Sequence, residues 1–286
     1  MSEKFGLALG VFDGYHLGHQ AVIDAARGSG LTGVLTFDPH PAEIFAPDKA
    51  PQRVLGSIAH QMAVLEELEV DFLVVLEFSR EFAEIPAEKF AQMLTATGVS
   101  RLSAGYDWSF GKGRAGNIAR LQEWAPGVDV VQVEALLHDG SPISSTRVRD
   151  ALSSEDLARA EELLGRPYSV RGEVQRGRQL GRQLGFPTAN VSTHESYLPA
   201  NGVYAISGKK DGEWISGVAN VGVRPTVDDS PKRSLEVHLF SDDIPQEYGW
   251  ELEVAFLEKI REEKKFHDID QLKAQIVQDI VAAKSR

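Results

Sequence analysis

One stretch of the chain, Gly10 to Gln20, constrains the fold more than any other segment. The apolar run before it, residues 5–12, predicts a short buried strand, and the run after it, residues 20–27, predicts a helix that ends near Gly28. The stretch is therefore a strand, a tight glycine-bearing turn and a helix start. Such a turn leaves backbone N–H groups unpaired beside the positive end of a helix dipole, which favours an anion such as phosphate.

Two histidines, His16 and His19, lie three positions apart and fall on one face of the first helical turn. Gly18 stands between them, and its missing side chain leaves room for a ligand. A zinc pair is the alternative. Zinc requires at least one further ligand, however, and the chain has no cysteine and no other histidine closely spaced with these two. We therefore prefer the phosphate interpretation.

The composition sets the class of protein. The chain has 286 residues, enough for about two domains, a net charge of −12 and no cysteine. An acidic chain is a poor nucleic-acid binder unless it carries a local basic patch, so we expect no nucleic-acid partner. No apolar run is long enough to span a bilayer and the first residues do not resemble a signal peptide, so we expect no membrane partner and a cytoplasmic location. The sequence does not indicate an oligomeric state.

Predicted strands and helices alternate through the first part of the chain, which predicts right-handed βαβ units and a parallel sheet. We expect a Rossmann-like α/β domain over residues 1–165. Within it, residues 71–78 form a nearly continuous apolar run, which is typical of a strand covered on both faces. A helix is predicted over residues 153–164, and Gly165 ends it.

Three further segments of this part carry chemistry. His40 follows the second predicted strand, although a single histidine there is more often a turn residue. The loop 105–116 mixes aromatics, glycines and cations, which suits either a stacked ring beside a phosphate or a mobile loop. The segment 143–149 begins a predicted helix with three hydroxyls, Ser144, Ser145 and Thr146, although a helix cap needs only one. It also places Arg147 and Arg149 in the first two turns, where the helix dipole disfavours cations unless an anion is bound there.

The pattern changes near residue 166 to repeated alternating strands followed by one helix, over residues 269 to about 284. This predicts a small antiparallel β-barrel over residues 166–286. The arginine- and glycine-rich segment 176–185 could pass for an RNA-binding segment, but the acidic chain and the missing aromatics favour a phosphate-wrapping loop. Glu236 and His238 share one face of a strand, where a lone glutamate is most often solvated.

Four motifs give the first part a family resemblance. FDGYHLGH is similar to a nucleotidyltransferase signature, and with TFDPHP, GYDWSFG and ISSTRVR in this order it resembles the FMN adenylyltransferase module of the bacterial bifunctional riboflavin kinase/FAD synthetase family. The resemblance implies flavin contacts at His40, Asp107 and Phe110. It also implies that ATP contacts Gly10, Phe12, Asp13, Gly14, His16, His19, Ser144, Ser145, Thr146 and Arg149. Departures from the usual residues occur at Gln61, Trp108 and Asn117.

A second set of motifs, GFPTAN, GVANVG, LEVHLF, EYG and KIREEKKF, resembles the riboflavin kinase family over about residues 168–284. The resemblance implies that Glu236 is the base, and that Thr188 and Asn190 help to bind Mg²⁺. It further implies ATP contacts at Gly181, Gly185, Pro187, Thr188 and Asn190. The segment Ser241 to Asp243 departs from the residues that are usual at these positions in that family.

Together the resemblances imply flavin cofactor synthesis, with riboflavin, FMN, FAD and ATP as partners. ATP would phosphorylate riboflavin to FMN, and FMN would then be adenylylated to FAD with release of pyrophosphate. His16, His19 and Glu236 would be catalytic. Open alternatives are an enzyme with only one of these activities and a non-enzymatic flavin-binding protein. A class I aminoacyl-tRNA synthetase would need a lysine-rich partner loop that is missing here, and a pantetheine- or glycerol-phosphate nucleotidyltransferase would not explain GFPTAN.

Overall fold

The computed structural model describes residues 4–28, 30–176, 184–193, 196–224, 232–241 and 248–285. Contacts divide the chain into two compact units. Unit 1 comprises Met1–Pro51 and Met62–Ser144, and unit 2 comprises Gln52–Gln61 and Ser145–Arg286. The domain boundary expected after residue 165 stays a prediction. No helix of the described ranges is both long and apolar enough to cross a membrane.

Unit 1 contains a parallel sheet in the order β3-β2-β1-β4-β5, as the alternating pattern predicted. The chain runs from β1 outward through β2 to β3 and then resumes on the other side with β4, so the order reverses beside β1. Ligands of open parallel sheets bind outside the carboxyl ends of the strands at such a reversal. The strands are Phe5–Leu9 (β1), Leu31–Asp38 (β2), Phe72–Glu77 (β3), Arg101–Gly105 (β4) and Asp129–Val133 (β5).

Helices and a short hairpin, β6 and β7, complete this part of the chain. The α5 and α6 helices place Phe90, Leu94 and Leu121 in the same buried cluster as Leu9 and Leu102 of the sheet. The elements are Leu17–Ala26 (α1), Pro41–Phe45 (α2), Ile58–Glu67 (α3), Arg80–Ala83 (α4), Ala87–Ala96 (α5), Ile118–Trp124 (α6), Leu137–His138 (β6) and Ser141–Pro142 (β7), with 3₁₀ turns at Pro47–Lys49 and Lys112–Arg114.

Two expectations for this part of the chain were wrong. The apolar run 71–78 forms the edge strand β3, whose residues are half-buried or exposed rather than covered on both faces. The helix expected over 153–164 begins only at Leu157, because Ser153 belongs to the preceding helix. The hydroxyls of Ser153 and Ser154 donate to the carbonyl oxygen of Asp150 and so end that helix.

Unit 2 is built on a closed antiparallel barrel in the order β10-β11-β12-β9-β8-β13, with β13 pairing back onto β10. The barrel confirms the prediction from alternating strands. Asp268 caps the closing helix, Ile269–Lys284, by accepting from the N–H of Gln271 at 2.8 Å. The other elements are Ser145–Ser153 (α7), Leu157–Leu164 (α8), Tyr168–Gln175 (β8), Ala189–Val191 (β9), Gly202–Lys210 (β10), Glu213–Arg224 (β11), Lys232–Leu239 (β12) and Glu251–Arg261 (β13).

The segment Gln52–Gln61 belongs to unit 2 although it is far from the barrel in sequence. The hydroxyl of Tyr168 donates to the carbonyl of Val54 at 3.0 Å. His60, with no solvent exposure, lies against Ser169 of β8. These contacts make the segment part of the barrel's packing.

Candidate functional site

The turn after β1 is fixed by unusual backbone angles. Phe12, Gly14 and Tyr15 have φ angles of 52°, 99° and 46°, a left-handed region that is costly for side chains other than glycine. The rings of Phe12 and Tyr15 are buried and stack with their centroids 5.9 Å apart. The amide of Gly10 donates to the carbonyl of Leu35 at 3.2 Å. Packing thus holds a conformation that the backbone alone disfavours.

The structure brings His16 and His19 together, as their spacing predicted. His16 is the N-cap residue of α1, and its Nδ1 accepts from the N–H of His19 at 3.2 Å. The two rings stack with centroids 3.6 Å apart and an angle of 16° between their planes. The edge of the Phe12 ring lies against His19, with the centroids 5.3 Å apart.

The environment of His19 keeps its imidazole neutral. Burial, and secondly the neighbouring His16, hold the pKa of His19 well below its ordinary value of 6.5. Its Nδ1 is buried without a hydrogen-bond partner among the described residues, so a proton there would be an unsatisfied donor. Since His16 Nδ1 accepts a bond, we assign the proton to Nε2 in both rings. Each ring then carries its proton at Nε2, the tautomer that an anion-binding imidazole requires.

Two details of the turn differ from the expectation. The N–H of His19 is not unpaired, because the His16 side chain and carbonyl oxygen both accept from it. A Cβ atom at Gly18 would lie 3.2 Å from the His16 ring, so the neighbouring imidazole itself favours glycine. Asp13 is half-buried beside the buried Gly14, and the ATP contacts expected for both stay predictions.

The predicted flavin residues lie at the carboxyl ends of β2 and β4, in three different settings. His40 caps α2, with its Nδ1 accepting from the N–H of Ala42 at 3.0 Å, and Glu43 accepts from the His40 N–H. Asp107 is exposed, whereas the Phe110 ring is only 7% exposed. Trp108 stacks on Phe110 with centroids 4.6 Å apart and is the less buried of the two rings.

A cluster of aromatic rings at the same edge escaped the sequence analysis. Phe78 contacts Phe37, Phe45 and Phe82 edge-on or tilted, with centroids 5.6 to 5.8 Å apart. Phe45 is 58% exposed. The residues come from three separate segments, so only the folded sheet places them together. Such a surface suits a flat ring.

The hydroxyl- and cation-rich segment straddles the division between the units. Ser144 ends unit 1, and Ser145 begins α7 in unit 2. Within unit 2, Thr146 is exposed, and Arg149 points Nη1 toward the carbonyl of Gln52 at 3.5 Å.

The departure at Asn117 has a local explanation, since its Oδ1 caps α6 by accepting from the N–H of Arg120 at 3.0 Å, a task that asparagine and aspartate perform equally. Gln61 is buried, with 7% exposure.

In the barrel, Glu236 lies between two amides. It is directly opposite Asn190 of β9 and directly opposite Asn220 of β11 in the antiparallel ladders. Opposite residues of an antiparallel pair project to the same face. The carboxylate is therefore flanked on both sides by side-chain amides. Sequence analysis singled out Glu236 and Asn190 but not Asn220, because strand register cannot be seen in one sequence.

A cavity of about 330 Å³ opens beside this row. Its lining includes Phe186, Thr188, Asn220, Glu236, His238 and Glu263. Asn190, Gly185 and Pro187 are outside the lining, and Gly185 takes a φ of 89° on the same loop. Gly181 and residues 242–243 of the segment Ser241 to Asp243 lie outside the described residues.

A partly buried ion pair forms part of the cavity wall. Arg261 at the end of β13 donates from Nε and Nη2 to the two carboxylate oxygens of Asp279, at 2.8 and 2.7 Å. This bidentate geometry is the strongest form of such a pair. Between these residues in sequence, Glu263 accepts from the Asn220 amide at 3.2 Å, so the wall is bonded to the row that contains Glu236.

The residues around Glu236 fit a magnesium ion that is held mainly by substrate. Thr188, Asn190 and Glu236 offer hydroxyl, amide carbonyl and carboxylate oxygens, the hard ligands that Mg²⁺ prefers. Across the described ranges, no three His, Cys, Asp or Glu side chains cluster as a metal cage. Mg²⁺ commonly keeps few protein ligands and completes its shell with phosphate oxygens and water.

Comparisons with known families cover nearly the whole chain. The model of the FAD synthetase family matches residues 1–147, and the model of the riboflavin kinase family matches residues 164–286. Three curated relatives carry the name bifunctional riboflavin kinase/FMN adenylyltransferase. The relative from Haemophilus influenzae is 42% identical over 98% of this chain and 93% of its own length. Those from Escherichia coli K12 and Bacillus subtilis are 40% and 38% identical, over 97% and 96% of this chain and 91% and 90% of their own lengths.

A solved structure is also similar over the whole chain. It is described as a macrolide-efflux protein from Streptococcus pneumoniae, is 30% identical, and has a TM-score of 0.84 while covering 100% of this chain and 95% of its own. The activity in that description is said of that protein. For the present chain the likeness supports the fold.

Proposed function

Because the chain belongs to the family of bifunctional riboflavin kinases/FMN adenylyltransferases, we propose that it phosphorylates riboflavin to FMN with ATP and then adenylylates FMN to FAD. The observation that carries the proposal is the pair of family models, which match successive stretches of one chain, residues 1–147 and 164–286. Both steps consume ATP, which agrees with a cytoplasmic location.

In the kinase step, Glu236 accepts the proton of the riboflavin 5′-hydroxyl as that oxygen attacks the γ-phosphorus of ATP. The amides of Asn190 and Asn220 flank the carboxylate on neighbouring strands, and Glu236 itself lines the cavity.

Thr188 and Asn190 are the residues that would hold Mg²⁺ on this face. When bound, the ion neutralises charge on the phosphate oxygens. Thr188 lines the cavity and therefore reaches the space in which the triphosphate must lie. Asn190 extends the same row of side chains next to Glu236.

In the second step, the FMN phosphate attacks the α-phosphorus of ATP and pyrophosphate leaves. A phosphate is already ionised near neutral pH, so this step needs no general base. The Nε2–H groups of His16 and His19 stabilise charge on the phosphates in the transition state. The ATP contacts expected for Ser145, Thr146 and Arg149, and the flavin contacts expected for His40, Asp107 and Phe110, stay predictions.

The test is incubation of the purified chain with riboflavin, ATP and Mg²⁺, followed by chromatographic separation of FMN and FAD. The proposal predicts FMN first and FAD later, with FAD also formed from added FMN. If neither product forms, the chain is not an enzyme of this kind and the non-enzymatic flavin-binding alternative takes its place. Formation of only one product would identify the activity that the chain has lost.

A further inference from the structure

We propose that His238 is a positioning residue of the kinase step, which fixes the loop carrying Thr188 by holding the carbonyl group of Pro187. The inference rests on the proposed kinase function and assigns a residue to which the comparisons give no role. His238 lies on β12 two positions beyond Glu236, so both side chains share one face of the strand. Both line the cavity.

The hydrogen bond between His238 and Pro187 lies just beyond the point where the pairing of β9 with β12 ends. Strand β9 pairs with β12 through Val191, Asn190 and Ala189, and the pairing does not extend to Thr188. One residue further out, His238 Nδ1 lies 2.8 Å from the carbonyl oxygen of Pro187. A carbonyl oxygen only accepts, so Nδ1 must carry the proton and donate. A side chain therefore holds the backbone where the neighbouring strand no longer does.

Aromatic contacts fix the orientation of the His238 ring. Phe186 lies edge-on to it with centroids 6.0 Å apart and planes at 89°, and Phe240 contacts it at 5.8 Å and 67°. The ring is thus packed by one residue of its own strand and one residue of the loop that it holds. This packing keeps the Nδ1–H directed at the carbonyl oxygen of Pro187.

Thr188 is consequently fixed from both sides. Its carboxyl-side neighbours, Ala189 and Asn190, are paired in β9, and its amino-side neighbour Pro187 is held by His238. Thr188 itself is exposed on the cavity, so its own packing does not define where its hydroxyl lies. The position of a predicted metal ligand thereby depends on the His238 bond.

Two substitutions separate this role from others. His238→Phe keeps a ring between the two aromatic neighbours and removes the donor. His238→Asn loses the ring, but its side-chain amide places an N–H near the position of Nδ1. We expect His238→Phe to lower kcat/KM for riboflavin phosphorylation about tenfold, or about 1.4 kcal/mol, the range of one hydrogen bond. His238→Asn should recover most of this loss.

A binding measurement provides a readout other than turnover. Calorimetric titration with Mg²⁺ and ADP, in a His16→Ala background that weakens the other nucleotide site, should show about tenfold weaker binding for His238→Phe and near-normal binding for His238→Asn. FAD formation from added FMN, measured without the His16 change, should be unaffected by either substitution, as should the melting temperature.

Several results would overturn the inference. They are wild-type phosphorylation and binding in His238→Phe, a loss in His238→Asn as large as in His238→Phe, and an equal loss of adenylylation in both variants. The second of these results would indicate that the reaction needs the imidazole itself rather than a donor to Pro187. A wild-type chain that phosphorylates no riboflavin would instead refute the proposed function on which the inference rests.

Discussion

The two imidazoles of the β1–α1 turn are the residues on which we propose that the adenylylation step depends. One ring caps the helix on which the other lies, and stacking holds them together. We expect His16→Ala to lower FAD formation from FMN by roughly two to three orders of magnitude, since one such donor contributes ~3–4 kcal/mol to the transition state. Riboflavin phosphorylation should remain. His138→Ala, at a histidine on the β6–β7 hairpin of the same unit, is the control. Normal FAD formation by His16→Ala would refute the assignment.

His19 also links stability to pH. Its pKa is lowered in the folded state, so below about pH 6.5 the unfolded chain binds a proton that the folded chain does not. Stability is therefore greatest above that pH and is lost as the pH falls toward the folded-state pKa. In urea unfolding series, His19→Asn should reduce the slope of stability against pH in this window by up to ~1.4 kcal/mol per pH unit. An unchanged slope would mean that His19 is protonated when folded.

Glu236 gives the converse of the His16 prediction. Glu236→Gln keeps the shape of the side chain and removes the base, so FMN formation should fall by roughly two to four orders of magnitude. FAD formation from added FMN should not change. Glu173→Gln, an exposed carboxylate on β8, serves as the matched control. Equal kcat values for Glu236→Gln and the wild type would exclude a base at this position.

Residue identity alone predicted part of the candidate sites. The spacing of His16 and His19 predicted a shared face, and the structure places the rings in contact. The amide row around Glu236 could not be predicted, because Asn220 and Asn190 become neighbours only through the register of three strands. Burial was equally inaccessible, and the Phe110 ring proves to be part of the core cluster of unit 1.

At the scale of elements, a buried polar network ties a distant segment to the barrel. Ser169 of β8 donates to Glu253 of β13 at 2.7 Å, so its oxygen accepts from His60 Nε2 at 3.0 Å. Burial by itself raises the pKa of Glu253, but the nearby His60 imidazole, whose Nε2 lies 3.6 Å from the carboxylate, together with the Ser169 bond and the charge of Lys209, leaves it lowered. A carboxylate in this setting depends on its donors.

Removing the imidazole should therefore destabilise the protein. We expect His60→Phe to lower the free energy of unfolding by about 3 kcal/mol, because it leaves a buried carboxylate short of a partner. Adding Glu253→Leu to that variant should restore part of the loss, since an apolar replacement removes the uncompensated charge. Denaturant unfolding measures both effects, with His267→Phe at an exposed histidine as control. A loss below about 1 kcal/mol would show that the network does not stabilise the fold.

Periodicity predicted the elements better than their surroundings. The alternation of strands and helices gave the parallel sheet, and the repeated short strands gave the barrel. The apolar character of residues 71–78 suggested a covered strand, yet β3 is at the edge of the sheet. Apolar content indicates that a strand can be covered, but whether it is covered depends on its place in the strand order, which is set by pairings between distant segments.

At the scale of the whole molecule, one chain carries two sites that each use ATP in a different way. The sequence placed a single boundary between them, whereas the contacts group Gln52–Gln61 with the barrel. No local pattern marks that grouping, because it arises from contacts between residues more than 100 positions apart, such as His60 and Ser169. Because His16 and Glu236 lie in different units, His16→Ala should lower FAD formation from FMN, whereas Glu236→Gln should lower FMN formation from riboflavin.

The central claim is that this chain catalyses attack on ATP at two different phosphorus atoms, the γ-phosphorus by riboflavin and the α-phosphorus by FMN. The most direct measurement follows labelled ATP into the products of one reaction with riboflavin and Mg²⁺. Label at the γ-phosphorus should appear in FMN and remain in the FMN half of FAD. Label at the α-phosphorus should appear only in the AMP half of FAD. γ-Label absent from FMN, or α-label absent from FAD, would contradict the account.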